Sequence, residues 1–268
     1  MKINIYQIFY SAATQASNDK GFYQLDNLTN LRPDWREYWP IRNCLLNNNL
    51  NENELYGFFS PKFGLKTNLQ SQDVYDYING NEADVYTFSP FYDQSAAHLN
   101  IFQQATFQHP GIYEIFEAVI QLIEPSVDIS TLIMDSTNTV FCNFLVAKPA
   151  FWRVWLEKCE LIYAVAEQGQ GELARKLNSL TQHDGGGTPF KVFVIERIAS
   201  LILCKYKFKV RAFNPIMMPR AHSAVAQYTS ELCLLDSLKI SYSRTGYGEF
   251  LSEYSRIRNE LISRAIRA

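Results

Sequence analysis

The chain has 268 residues, with 25 Lys+Arg against 27 Asp+Glu and 47% hydrophobic residues. A net charge of −2 excludes a strongly basic nucleic-acid binder, and the apolar content excludes a disordered chain. Length suffices for a buried core without metal or disulfide staples. The unusual number is 14% aromatic residues: 18 Phe, 16 Tyr and 4 Trp. The five cysteines lie mostly in apolar segments and form no Cys-x-x-Cys pair. That pattern predicts free thiols, no zinc site and a cytoplasmic setting. The first residues lack a signal-peptide pattern, and no window is apolar enough for a membrane span.

Residues 2–9 alternate apolar and polar and predict a first strand. Residues 10–33 read as a long polar loop. Asp34 is placed to cap a helix over 35–47, with Pro40 warning of a kink or a later start. A second strand is expected over 54–59, a loop over 60–64, and a short helix from Ser71 to about Gly80. Residues 84–88 read as a third strand, and 89–109 as less regular. Pro110 suits the first position of an amphipathic helix, whose stripe is Ile112, Ile115, Val119 and Ile123. A strand over 138–146 and a helix over 148–168 follow. A polar, Gly-rich segment then precedes a helix over 190–204 and a strand over 206–213. The last predicted helix covers 248–266, within a helical C-terminal segment of about 228–268. Strands alternating with helices predict an α/β fold with a mostly parallel central sheet flanked by helices. Neither an internal repeat nor a long linker divides residues 1–268, so a single domain is expected.

In such sheets ligands bind beyond the carboxyl ends of the strands. The loops after residues 9, 59, 88 and 146 therefore carry the functional expectation. They mix cations, carboxylates and hydroxyls among aromatics, which suits an anionic, partly planar ligand such as a nucleotide. P-loop, Gly-x-Gly-x-x-Gly, Gly-x-Ser-x-Gly and His-Glu-x-x-His patterns are absent from the sequence.

Several strings then follow in a suggestive order. Tyr38-Trp39-Pro40-Ile41-Arg42-Asn43 precedes Tyr56-Gly57-Phe58-Phe59-Ser60-Pro61-Lys62-Phe63; His109, Asn143 to Lys148 with Phe151-Trp152, and Phe193 to Ile198 come after. Over residues 2–215 this order resembles a bacterial family of polysaccharide glycosyltransferases. That family has a Tyr-Trp-x-x-x-Asn helix, a Gly-x-x-His-Tyr-Arg-Arg strand end, an Asn-Met-Phe strand and a Phe-x-x-Glu-Arg-Leu helix. The resemblance implies a GT-A-like fold and transfer of a sugar from a nucleotide-diphospho-sugar donor. The acceptor it implies is a glycan or lipid-linked glycan of a capsule or O-antigen. Two departures stand out. The basic string has become Ser60-Pro61-Lys62-Phe63, and the position of an Asp-x-Asp metal motif reads Phe88-Ser89-Pro90-Phe91-Tyr92-Asp93, with one carboxylate.

On this reading Glu196 is the general base if the enzyme inverts, with Asp184 its rival; retention and inversion both stay open. The donor-binding candidates are Tyr6, Gln7, Arg42, Ser60, Lys62, Ser89, Asn143 and Arg197. Asp93 is the candidate ligand for Mg²⁺ or Mn²⁺. The last helix carries Arg256, Arg258 and Arg264, with Arg267 just beyond, and suits either a solvated face or peripheral docking on the inner membrane. Bland readings stand beside these: Lys62 as a surface lysine, Asp93 as a turn residue, Glu196 and Arg197 as a structural ion pair, Asn143 as a satisfied core amide. A non-catalytic nucleotide- or glycan-binding module, or an interaction protein of a polysaccharide assembly complex, is the alternative function.

Overall fold

The computed structural model describes residues 2–181 and 187–267. Its strands are β1 (Ile3–Phe9), β2 (Tyr23–Asp26), β3 (Leu55–Phe59), β4 (Val85–Thr87), β5 (Leu145–Ala147) and β6 (Val210–Ala212). They form one sheet in the order β2-β1-β3-β5-β4-β6. β1 pairs parallel with β2 and β3, and β4 pairs parallel with β6. Only β5 runs antiparallel, between β3 and β4. The expected mostly parallel α/β sheet is present.

The helices are α1 (Ala12–Ser17), α2 (Tyr38–Asn47), α3 (Phe63–Thr67), α4 (Ser71–Asn79), α5 (Tyr92–Ala97), α6 (Ile101–Gln108), α7 (Ile112–Ile123), α8 (Pro149–Gln168), α9 (Gly171–Asn178), α10 (Phe190–Lys205), α11 (Thr229–Thr245) and α12 (Gly248–Arg267). The inner strands β1, β3, β4 and β5 are largely buried on both faces, whereas the edge strands β2 and β6 are not, and side-chain alternation feeds two cores. Tyr56 and Phe58 of β3 enter the larger core with α2, α6, α7, α8 and α10. Leu55 and Phe59 enter a second core with Phe63, Val74 and Ile78 of α3 and α4. Aromatic residues fill both of these cores; in the second, Phe59 stacks on Phe63 at 4.1 Å, and Phe22, Phe88 and Phe144 meet this pair edge-on. A third core joins α5 to the hairpin of α11 and α12 through Tyr92, Ala96, Leu232, Leu235, Tyr254 and Leu261.

Several predicted elements differ. Residues 10–33 contain α1 and β2, and residues 89–109 contain α5 and α6. These elements are too short to show a period, although Ser11 and Asn100 cap α1 and α6 by accepting from Thr14 N and Gln103 N. Pro40 lies in the first turn of α2, where it costs no hydrogen bond, so the helix is intact and begins at Tyr38. Asp34 caps nothing in that helix; it pairs with Arg32 and Lys191. Pro110 precedes Gly111, whose φ of +85° opens α7. The strand expected over 138–146 shrinks to Leu145–Ala147, because Cys142 and Asn143 both adopt left-handed backbone. The strand over 206–213 shrinks to Val210–Ala212, and the Gly-rich segment contains α9.

Candidate active site at the strand ends

β1 has its next strand in sequence, β2, on one side and β3 on the other. The chain order therefore reverses at β1, and a crevice opens beyond the carboxyl ends of β1, β2 and β3. It is a cleft of about 310 Å³. Tyr10 follows β1, Asn27 and Asn30 follow β2, and Ser60, Pro61 and Lys62 follow β3. Arg36 and Glu37, just before α2, Lys66 on α3, and Phe193 and Glu196 on α10 close the far side.

The wall is fixed by a charged network beneath it. Lys191, only 2% exposed, donates to Asp34 Oδ2 at 2.5 Å and to Asn178 Oδ1 at 2.8 Å, and lies over the Trp35 ring. Arg32 bridges Asp34 and Glu167, and Trp35 Nε1 donates to Glu167. Partial burial alone would raise the Asp34 carboxyl. The hydrogen bonds from Arg32 and Lys191 reverse that and hold it at about 2. Arg36 reaches across the cleft wall to Thr188 Oγ1 at 3.3 Å. Its backbone, at φ 49° and ψ −133°, is strained for a residue with a side chain.

Below the cleft floor lies a smaller recess of about 40 Å³. Glu37, Ser60, Lys66, Cys142, Asn143 and Glu196 are among its lining residues. Lys66 Nζ donates to Cys142 Sγ at 3.0 Å. Burial disfavours the Lys66 charge, but Cys142, Glu196 and Glu37 more than offset this and raise its pKa. Burial pushes the Cys142 thiol up to about 11 despite Lys66, so the thiol stays protonated and the lysine charged. Cys142 and Asn143 take φ of +61° and +53°, a consecutive left-handed pair. Asn143 is 9% exposed and its Oδ1 has no hydrogen-bond partner.

The candidates from sequence divide clearly. Ser60, Lys62 and Glu196 line the cleft, and Asn143 lines the recess. Lys62 is exposed, and its N–H is tied to Ser60 Oγ at 3.3 Å. The Glu196 side chain is 36% exposed and 3.9 Å from Arg197. Gln7 lies beside a neighbouring hollow, where its amide joins Ser60 O to Asp19 N and so braces the strand ends.

Five candidates lie elsewhere. Tyr6 stacks on Phe58 and packs against the larger core. Arg42 is clamped by Glu160 at 2.6 and 2.7 Å and covers the Tyr163 ring. Ser89 accepts from Phe141 N, a structural bond. Arg197 is buried, donates to Phe193 O, and is lowered by burial to about 10. Asp93 is fully buried and accepts from Ala221 N, the Ser223 hydroxyl and Gln94. Its oxygens hold the loop after β6, and the site does not fit a metal. No group of three or more His, Cys, Asp and Glu able to hold a metal occurs among the described residues. Asp184 lies outside the described residues.

Arg36, Glu37, Lys66 and Cys142 were missed from sequence. Arg36 and Glu37 directly precede the Tyr38 motif, and Lys66 lies one turn beyond Lys62, which was the available signal.

Three of the four arginines of α12 are engaged. Arg256 pairs with Glu253 and Glu260, Arg264 with Glu231, and Arg258 donates to Ala97 O. No helix among the described residues is long and apolar enough to cross a membrane. Comparison with protein-family models, with curated proteins and with solved structures found no match to this chain.

Proposed function

We infer that this chain is a glycosyltransferase with a GT-A-like domain, moving a sugar from a nucleoside-diphospho-sugar to a glycan hydroxyl. One observation carries the reading: a cleft at the sheet's switch point gathers Arg36, Lys62 and Lys66 with Glu37 and Glu196. Half-exposed Tyr10 at the end of β1 adds an aromatic face on which a base can stack. The order of sequence motifs ending at Glu196 supports the same reading.

The chemistry follows from charge. The acceptor oxygen attacks the anomeric carbon, and the bond from that carbon to the diphosphate breaks. The electron pair stays on the diphosphate, where Arg36, Lys62 and Lys66 offset the added charge. Glu196 takes the proton of the attacking hydroxyl as general base. Asp93 does not fit a metal ligand, so no step is assigned to one. The setting is cytoplasmic assembly of a bacterial surface polysaccharide.

A thermal-shift series with UDP, GDP and CMP, each with and without Mn²⁺, tests the reading. Stabilisation by one nucleotide is expected, because a ligand bound only by the folded state raises the melting temperature. No stabilisation by any of them overturns it.

A further inference from the structure

We propose that the recess under the cleft floor is a subsite that reads a single sugar hydroxyl through Asn143 and Lys66. The inference rests on the transferase reading for its ligand class, but its evidence is separate. Asn143 Oδ1 is a buried acceptor with no partner, and leaving such a group unpaired is costly. Asn143 and Cys142 also hold consecutive left-handed backbone, which is unfavourable chiefly for Cys142. Strain and an orphaned acceptor at one point are retained where a ligand completes the site.

The ligand's chemistry follows from what the recess lacks. Asn143 Oδ1 needs a donor. The Lys66 ammonium has three N–H donors and gives one to Cys142 Sγ, so it offers the others to an acceptor. A hydroxyl is both donor and acceptor, and satisfies the two groups at once. A carboxylate or phosphate oxygen would accept from Lys66 but leave Asn143 unpaired, beside Glu37 and Glu196. Size points the same way. About 40 Å³ admits one hydroxyl or hydroxymethyl group and excludes a ring. The larger cleft shares Ser60, Lys66 and Glu196 with the recess, so a sugar in the cleft can lower one substituent into it. Cys142 positions the lysine.

The test uses Asn143→Gly, which keeps the left-handed backbone and removes the amide, and Asn143→Asp, which keeps an acceptor and tolerates the same backbone. Calorimetry on the full chain measures binding of UDP, GDP and CMP and of UDP-glucose, UDP-galactose, GDP-mannose and CMP-sialic acid. Saturation-transfer NMR measures free glucose, galactose and mannose. The expected result is a free-nucleotide affinity unchanged in Asn143→Gly. The affinity for the matching nucleotide-sugar falls by about tenfold, the scale of one lost hydrogen bond, and is largely restored in Asn143→Asp. Nucleotide-sugar binding unaltered in Asn143→Gly, or lost equally with free nucleotide, overturns the subsite and leaves the transferase reading standing. Hexose binding that Asn143→Gly abolishes, without nucleotide binding, upholds the subsite and overturns the transferase. Binding of neither class overturns both.

Discussion

At the scale of single residues, the site depends on which charges face the cleft. Glu196 does so from α10, whereas its neighbour Arg197 is buried against Phe193 O and the Phe116 ring. Glu196→Gln should lower sugar transfer by roughly 10²–10⁴-fold while nucleotide affinity is kept, as expected for loss of a general base. Product formation under single-turnover conditions, set beside calorimetry, checks this; full activity in the variant would remove Glu196 from the mechanism. Asp34 works from beneath. Its carboxyl is held at about 2, below the roughly 3.9 of an unfolded aspartate. The folded value is depressed, so its contribution is complete above about pH 4 and is lost as the pH falls toward 2. Asp34→Asn leaves Lys191 buried without its carboxylate and should cost about 3 kcal/mol at neutral pH. Urea midpoints between pH 2 and 7 should show that loss and a flatter acid limb. Position near a strand end made Ser60 and Lys62 readable from sequence, a polar residue in an aromatic run pointed to Asn143, and the polar stripe of its helix together with the family resemblance pointed to Glu196. Lys66 was not, because its role comes from the left-handed turn that carries Cys142 to it.

At the scale of elements, long periodic helices and short apolar strands were readable, and short polar segments were not. α7, α8 and α10 follow from their apolar stripes, and β1 and β3 from alternation and aromatic content. α1, α5, α6 and β2 are each eight residues or fewer, too short for periodicity to outweigh polar composition. β5 was overextended because residues 138–144 are as apolar as a strand, yet the Cys142–Asn143 turn breaks the ladder. Gly57 is the tightest point between β3 and β5. A Cβ there would lie 2.7 Å from Val146 Cγ2 and 3.1 Å from Leu145 O. Gly57→Ala should therefore cost about 1–3 kcal/mol by overpacking. A denaturation midpoint equal to that of the parent would mean the strands can part without penalty.

At the scale of the whole molecule, the α11–α12 hairpin is tied to α5, His98 and the loop at 134–136 by buried polar bonds as well as by its apolar core. Lys239, fully buried, donates to Ser95 O, His98 O and Met134 O, and Asp236 accepts from the N–H and hydroxyl of Ser136. The hairpin should therefore unfold together with the sheet. The four tryptophans, at 35, 39, 152 and 155, all precede it, while helical circular dichroism includes α11 and α12. Coincident fluorescence and dichroism transitions are expected; an earlier dichroism loss would mark the hairpin as a separate unit.

The central claim is that the cleft between β1 and β3 holds a nucleoside diphosphate by its cations. Calorimetric titration of UDP, GDP and CMP into the parent chain and into Lys66→Met tests it most directly. UDP or GDP should bind the parent and bind Lys66→Met at least about tenfold more weakly, as for loss of one positive charge facing the diphosphate. Binding of neither UDP nor GDP, or binding indifferent to Lys66, would contradict the account.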